Sequence, residues 1–275
     1  MQAKSLMRAV VRGTQFICYL LLGVFLASAY RLRFGGQWHM TRQGLALIRW
    51  WMQRITRIIG IHITHYGRPV TTQVIFVSNH ISFLDIIVIS SIVPVRFLAK
   101  HTVRYWPVIG YLTALSGSLF INRDRPSQLS RAITAIKQAL ANPRPVLIFP
   151  EGTTSVGSRV LKFHSGLFQA AIDHAVPVQA LTLHYRCQHG PDRIAAYIDR
   201  DNFLISLLRL LAREQTEVHL SFTPAVDSDG HTRQSLAAFC HARISQNLQF
   251  QLQIPDVSRA FDDDNELAMV GEYKI

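Results

Sequence analysis

The stretch SNHISFLD, Ser78 to Asp85, sets an imidazole and a carboxylate five residues apart. Asp85 is the first acid in the chain and follows ten Lys and Arg residues. A neutral imidazole can take the proton from a hydroxyl, and a carboxylate on its other ring nitrogen holds it ready to do so. On one straight helix an i,i+5 pair lies about 140° apart and cannot touch. Pairing therefore requires His80 at a strand-to-helix junction and Asp85 in the first helical turn. Ser82 and Asp85 fit such a start, as N-cap and N3 of a capping-box variant. The bland alternative is that Asp85 only caps the helix and His80 only fills a turn. Two more loops carry reactive types: FINRDR (120–125) sets Arg123 and Arg125 past an expected strand end, and FPEGTTS (149–155) sets Glu151 and Gly152 past another.

The elements that must position these groups follow from the apolar pattern. From Thr71 onward, short β-branched runs alternate with helical segments. Strands are expected at 73–78, 95–99, 118–122, 146–149, 177–185, 195–199 and 217–226. Helices are expected at 82–93, 106–116, 127–141 (with Ser127 as N-cap), 166–175, 202–212 and 234–248. This alternation predicts an α/β fold, a mixed sheet flanked by helices. Functional groups of such sheets collect where strands end and helices begin.

Asn79-His80 with Asp85, then GSLFINR (117–123), FPEG (149–152) and VPV (176–178) come in the order and spacing of a known family. Over roughly Val74 to Leu183 the chain resembles the 1-acylglycerol-3-phosphate acyltransferases, within the wider glycerolipid acyltransferase superfamily. The resemblance implies that His80 is the general base on the acceptor hydroxyl and that Asp85 orients it. It implies Lys100 as an oxyanion donor, and Asn79, Arg123, Glu151, Gly152 and Thr153 as the substrate-binding set. The acceptor it implies first is 1-acyl-sn-glycerol-3-phosphate, giving phosphatidic acid. The acyl donor would be acyl-CoA or acyl-carrier protein, with no bound cofactor. No covalent acyl-enzyme is required, in keeping with the lack of a GxSxG elbow and of any cysteine in these motifs. Two departures matter. Thr154 stands where the family commonly has Arg, and FHSG (163–166) replaces a more basic stretch. Both remove positive charge, and EGTTS resembles branches that include lyso-ornithine lipid acyltransferases. That acceptor is the first alternative; a lipid ester or thioester hydrolase and a non-catalytic membrane-binding module are the others.

The chain is basic, with a net charge of +12. Nearly half of its residues are hydrophobic, which favours an anionic membrane surface over nucleic acid as the partner of that charge. The tail from Asp256 holds six acids and two bases, so the body is +16, and disorder is expected there. Residues 15–30 carry no charge, but sixteen residues fall short of the ~20 of a full span. Arg8, Arg12, Arg31 and Arg33 flank both sides, which favours a shallow or re-entrant segment. Met40 to Ile59 mixes Leu, Ile and Trp with Arg, as interfacial helices do. Residues 202–212 are apolar enough for a further membrane contact. The expected organisation is membrane-associated helices over 1–65, an acyltransferase domain over 66–254 and the tail over 255–275. The expected location is a bacterial inner membrane, with the site facing the cytoplasm. Three widely spaced cysteines make neither a disulfide framework nor a zinc site. Alternation puts His62 and His65 on opposite faces of a strand, so no metal is expected.

Overall fold

A run of Ile, Phe and Val can be buried on both faces only between two helical layers. Strand β2 (Ile75–Ser78) is such a run and lies at the centre of the sheet. The computed structural model describes residues 3–121, 128–187, 190–198 and 201–253. Besides β2, its strands are β1 (Ile61–Tyr66), β3 (Arg96–Lys100), β4 (Leu119–Ile121), β5 (Val146–Ile148), β6 (Val178–Cys187), β7 (Gly190–Pro191) and β8 (Thr216–Phe222). They form one mixed sheet in the order β1-β8-β6-β2-β5-β3-β4, with β7 paired to β6. Strands β6, β2, β5, β3 and β4 run parallel, so their C-terminal ends share one edge. β8 joins β6 antiparallel, and β1 lies parallel to β8.

The pleat sends alternate side chains to opposite layers. Phe76, Leu147 and Leu181 face α1 (Ala3–Phe34), α2 (Arg42–Ile59), α3 (Leu84–Ile92) and α7 (Phe203–Ala212), through Phe16, Ile55, Val88 and Leu210. Ile75, Val77 and Ala180 face α5 (Gln128–Leu140), α6 (Gln169–Asp173) and α8 (Arg233–Gln253), through Ile136, Ala171 and Ile244. The remaining helix, α4 (Ile109–Leu115), packs on α1.

The uncharged run 15–30 turns out to be the middle of a 32-residue helix, α1, long and apolar enough to cross a membrane. The helix outruns the uncharged segment because Arg8 and Arg12 do not end it. Their guanidiniums donate to the carbonyls of Ala212 at 3.2 Å and Arg213 at 2.6 Å, just where α7 stops. The last carbonyls of a helix lack partners and carry partial negative charge, so they suit a cation. Only Ala9, Phe16, Gly23 and Ala27 of α1 are buried, a single stripe along its length. In α2 the helix starts at Thr41, whose hydroxyl accepts from Gly44 N–H, and ends at Gly60, in the left-handed region at φ 82°. Trp50 of α2 faces outward under Arg54, while Trp51 turns inward and donates to the carbonyl of Tyr19 at 3.0 Å.

Four local expectations are corrected. Residues 195–198 form no strand; Ala195 and Ala196 are buried in an irregular turn, with Tyr197 N–H bonded to the carbonyl of Ile81. The segment 166–175 opens as a 3₁₀ turn, Ser165–Phe168, before the short α6. α3 starts at Leu84 rather than after Ser82, and the buried hydroxyl of Ser82 makes no cap bond. The sheet begins at Ile61, so a boundary drawn at 65 cuts through β1. Ser127 and the tail 255–275 lie outside the described residues.

One buried cation ties the N-terminal helices to the sheet. Arg144 donates to the carbonyls of Val95 and Ser116, each at 2.6 Å, and of His39 at 3.4 Å. These belong to the entry to β3, the end of α4 and the connection between α1 and α2. Burial, with Arg96 nearby, pushes this guanidinium down to about 9.

Candidate active site

β2 and β5 run parallel in register, Val77 opposite Ile148, so the residues after each strand emerge side by side. His80 follows β2 and Phe149 follows β5; their rings stack with centroids 3.9 Å apart. From there the chain turns into α3, and the turn brings Asp85 back under His80. His80 Nδ1 lies 2.7 Å from Asp85 Oδ2. The same oxygen accepts the backbone N–H of Ile81 at 2.8 Å and of Ser82 at 3.0 Å. The bond from Ser82 N–H is the half of the expected capping box that forms; the other half does not.

Asp85 is fully buried, and its other oxygen accepts the hydroxyl of Tyr185, on β6, at 2.8 Å. Four donors thus surround one carboxylate. A buried polar group costs free energy unless it is hydrogen-bonded, and here both carboxylate oxygens are. The Tyr185 phenol is pushed well above its ordinary range, first by burial and then by the Asp85 charge, so it remains a donor. With Nδ1 engaged, Nε2 is the remaining ring nitrogen of His80, and the ring lines a cavity. Such a pair can accept a proton from a hydroxyl and stabilise the imidazolium that results.

That cavity has a volume of about 680 Å³. At one end it meets His80, Phe149, Gly152, Thr153 and Lys100. The rest is mostly apolar, walled by α1, α2 and α4 through side chains such as Leu20, Trp51, Ile55 and Leu112. Lys100 closes β3 and is exposed at the same sheet edge as His80.

The other expected site residues separate into groups. Gly152 and Thr153 are exposed on the loop after β5; Gly152 has φ 72°, a conformation a side chain disfavours. Asn79 does not face the cavity. It is buried, with Nδ2 donating to the Leu183 carbonyl at 2.9 Å and Oδ1 accepting Leu183 N–H at 2.8 Å. Both ends of its amide extend the β2–β6 pairing, so a substrate contact is corrected to a brace. Glu151 is likewise buried below the loop, where Oε1 accepts His80 N–H at 3.2 Å. Arg123 and Arg125 lie outside the described residues. Tyr185 and Phe149 were missed as site residues. Phe149 lies within a quoted motif, whereas no local pattern links Tyr185 to a carboxylate 100 residues away.

Burial pushes the Glu151 carboxyl up to about 7, against the backbone N–H groups of His80 and Leu161, which lower it. A carboxyl raised on folding binds its proton more tightly in the folded chain. Its stabilising contribution is therefore complete below about 4.5 and is lost as pH rises toward about 7. Urea unfolding at several pH values is expected to show stability falling across that window, by up to roughly 3 kcal/mol. Glu151→Gln is expected to flatten the slope; an unchanged slope would assign it to another group.

An α/β sheet with a His-Asp pair at the C-terminal edge of its parallel strands, opening on a largely apolar cavity, is the framework of an enzyme site. The Acyltransferase family model matches residues 61–184. The lyso-ornithine lipid O-acyltransferase of Pseudomonas aeruginosa is 34% identical over 84% of this chain and 90% of its own length. The 1-acyl-sn-glycerol-3-phosphate acyltransferase of Neisseria meningitidis is 30% identical over 62% of this chain and 67% of its own. The crystal structure of the 1-acyl-sn-glycerophosphate acyltransferase from Thermotoga maritima has the same fold, with a TM-score of 0.61 at 20% identity, over 88% of this chain and 98% of that one. This chain belongs to the acyltransferase family.

Proposed function

We propose that this chain transfers a fatty acyl group from an acyl thioester, of CoA or a carrier protein, to the free hydroxyl of a lysolipid. The observation that carries the reading is His80, held by Asp85 at 2.7 Å at the head of a long apolar cavity. His80 takes the hydroxyl proton on Nε2, and the freed oxygen attacks the thioester carbonyl carbon. Lys100, on the same cavity wall, supplies a donor to the tetrahedral oxyanion. Collapse breaks the C–S bond, and the departing thiolate recovers the proton from the imidazolium. Gly152 and Thr153 shape the acceptor side, and Arg123 holds the acceptor headgroup.

Among acceptors, a lysolipid without a phosphate monoester, such as lyso-ornithine lipid, is favoured over 1-acyl-sn-glycerol-3-phosphate. Where the family commonly has an anion-binding Arg, Thr154 is present, and its hydroxyl bonds the Tyr197 carbonyl. The Pseudomonas aeruginosa relative, 34% identical over 84% of this chain, is named for the same acceptor. Purified enzyme offered both lysolipids with one acyl thioester separates them. Turnover on lyso-ornithine lipid alone supports the reading, turnover on 1-acyl-sn-glycerol-3-phosphate alone reverses it, and acceptor-independent thioester cleavage points to hydrolysis.

The apolar cavity takes the acyl chain of the donor. Gly23 of α1 lies on its wall, where an added Cβ would stand 2.8 Å from the indole of Trp51. Gly23→Ala must therefore push Trp51, which is tethered to Tyr19, into the cavity's length. Each methylene denied burial costs about 0.8 kcal/mol. Loss of room for two is expected to shift selectivity toward shorter acyl donors by about tenfold, read as the ratio of kcat/KM values across a chain-length series. An unchanged ratio would remove the acyl chain from this wall. The exposed outer face of α1 seats the enzyme in a bilayer, an inner membrane with the site on the cytoplasmic side.

A further inference from the structure

We infer that α7 is a second membrane-contacting element, lying in the plane of the leaflet beside α1 and carrying apolar contact up to the mouth of the acyl cavity. The inference rests on the membrane reading of α1 above and extends it to a helix of only ten residues, too short to span. The two helices pack together, and Arg8 near the start of α1 reaches the carbonyl of Ala212 at the end of α7. Their inner stripes, Phe16 on α1 and Leu207, Leu210 and Leu211 on α7, enter the same core under the sheet. Their outer stripes therefore point away from the sheet side by side.

On α7 the outer stripe is Leu204, Ile205 and Leu208, which are 65%, 50% and 56% exposed. On α1 the neighbouring stripe includes Leu6, Val10 and Ile17, each at least half exposed. Both sets are exposed apolar residues on two helices that pack against each other. Isolated exposed leucines require no explanation, but exposed apolar stripes on two packed helices do. Arg209, beside the patch on α7, is exposed and suits anionic headgroups. The link to function is Phe203, the first residue of α7. It lines the acyl cavity and meets Phe83 and Trp106 with ring centroids 4.9 and 4.8 Å away. A leaflet seated on α7 thus touches the same helix that walls the cavity at Phe203.

The native cysteines make the test clean. Cys18 is exposed on α1, Cys187 is exposed near the end of β6, and Cys240 is buried. A Cys187→Ser chain carries an environment-sensitive fluorophore on Cys18 alone. A Cys18→Ser/Cys187→Ser/Leu208→Cys chain carries it at position 208. Each is mixed with vesicles of phosphatidylethanolamine and phosphatidylglycerol bearing a nitroxide on the acyl chain, and separately with aqueous iodide. The expected result is lipid quenching and iodide protection at both positions. Lipid quenching at Cys18 with iodide quenching at position 208 would overturn the inference while leaving the membrane reading standing. Iodide quenching at both would overturn the two together. In a functional arm, Leu204→Ser/Ile205→Ser/Leu208→Ser is expected to lower kcat/KM on vesicle-borne lysolipid on the order of tenfold, while a monomeric short-chain lysolipid is turned over as before. Equal losses on both acceptors, or no loss on vesicles, would also overturn it.

Discussion

His80→Ala is expected to lower acyl transfer on the order of 10²–10⁴-fold, the usual contribution of a positioned general base. The protein is expected to fold and to bind vesicles as before. The His80 backbone N–H that Glu151 accepts is present in any residue at this position. Asp85 keeps three of its four donors when the imidazole is removed: Ile81 N–H, Ser82 N–H and the Tyr185 hydroxyl. The stack on Phe149 is lost, which costs about 1 kcal/mol. Turnover of lysolipid measured beside a thermal melt checks both halves. A folded variant with near-normal turnover would end the assignment of His80 as the base.

Asp85 is expected to respond in two ways, depending on what replaces it. In Asp85→Asn the side-chain oxygen can still accept from His80, Ile81 and Ser82, and the new amide can donate to the Tyr185 oxygen. The fold is therefore expected to survive with a modest loss of stability. The charge that stabilises the imidazolium is gone, and activity is expected to fall on the order of 10²–10⁴-fold. Asp85→Ala removes the acceptor altogether. Two buried backbone N–H groups and one buried phenol are then orphaned, at about 1–3 kcal/mol each. A loss on the order of 5 kcal/mol is a large part of the whole stability of a domain, so this variant is expected to express poorly. Urea unfolding and turnover, measured on both variants, separate charge from architecture. An Asp85→Asn enzyme with full activity would mean that the carboxylate only holds the turn. A stable Asp85→Ala protein would mean that its bonds are replaced by water.

The legible part of this protein lay in spacings of a few residues. The strand QVIFVS, the helix after it and the junction between them are local patterns, and the structure forms all three. The same reading failed where local pattern and tertiary need diverged. AAYID has the composition of a strand, but Ala195 and Ala196 turn beneath the His80 loop instead, and Tyr197 bonds Ile81. The family resemblance implied Asn79 as a substrate contact. Its neighbour in space is Leu183, 104 residues away, and both ends of its amide are taken there. The short uncharged run 15–30 understated α1, because Arg8 and Arg12 found carbonyls of α7 rather than ending the helix.

By itself the chain of residues determined the alternation of strands and helices, the types of group at the strand ends, and the fact that His80 and Asp85 pair only across a turn. Each is a matter of backbone period and short reach, properties the polypeptide carries locally. Only the tertiary structure decided that Tyr185 completes the carboxylate's shell, that Phe149 backs the imidazole, and that α1 and α2 wall the cavity below it. Those contacts join residues dozens of positions apart. Sheet register and helix packing bring them together, and no short spacing in the sequence encodes either.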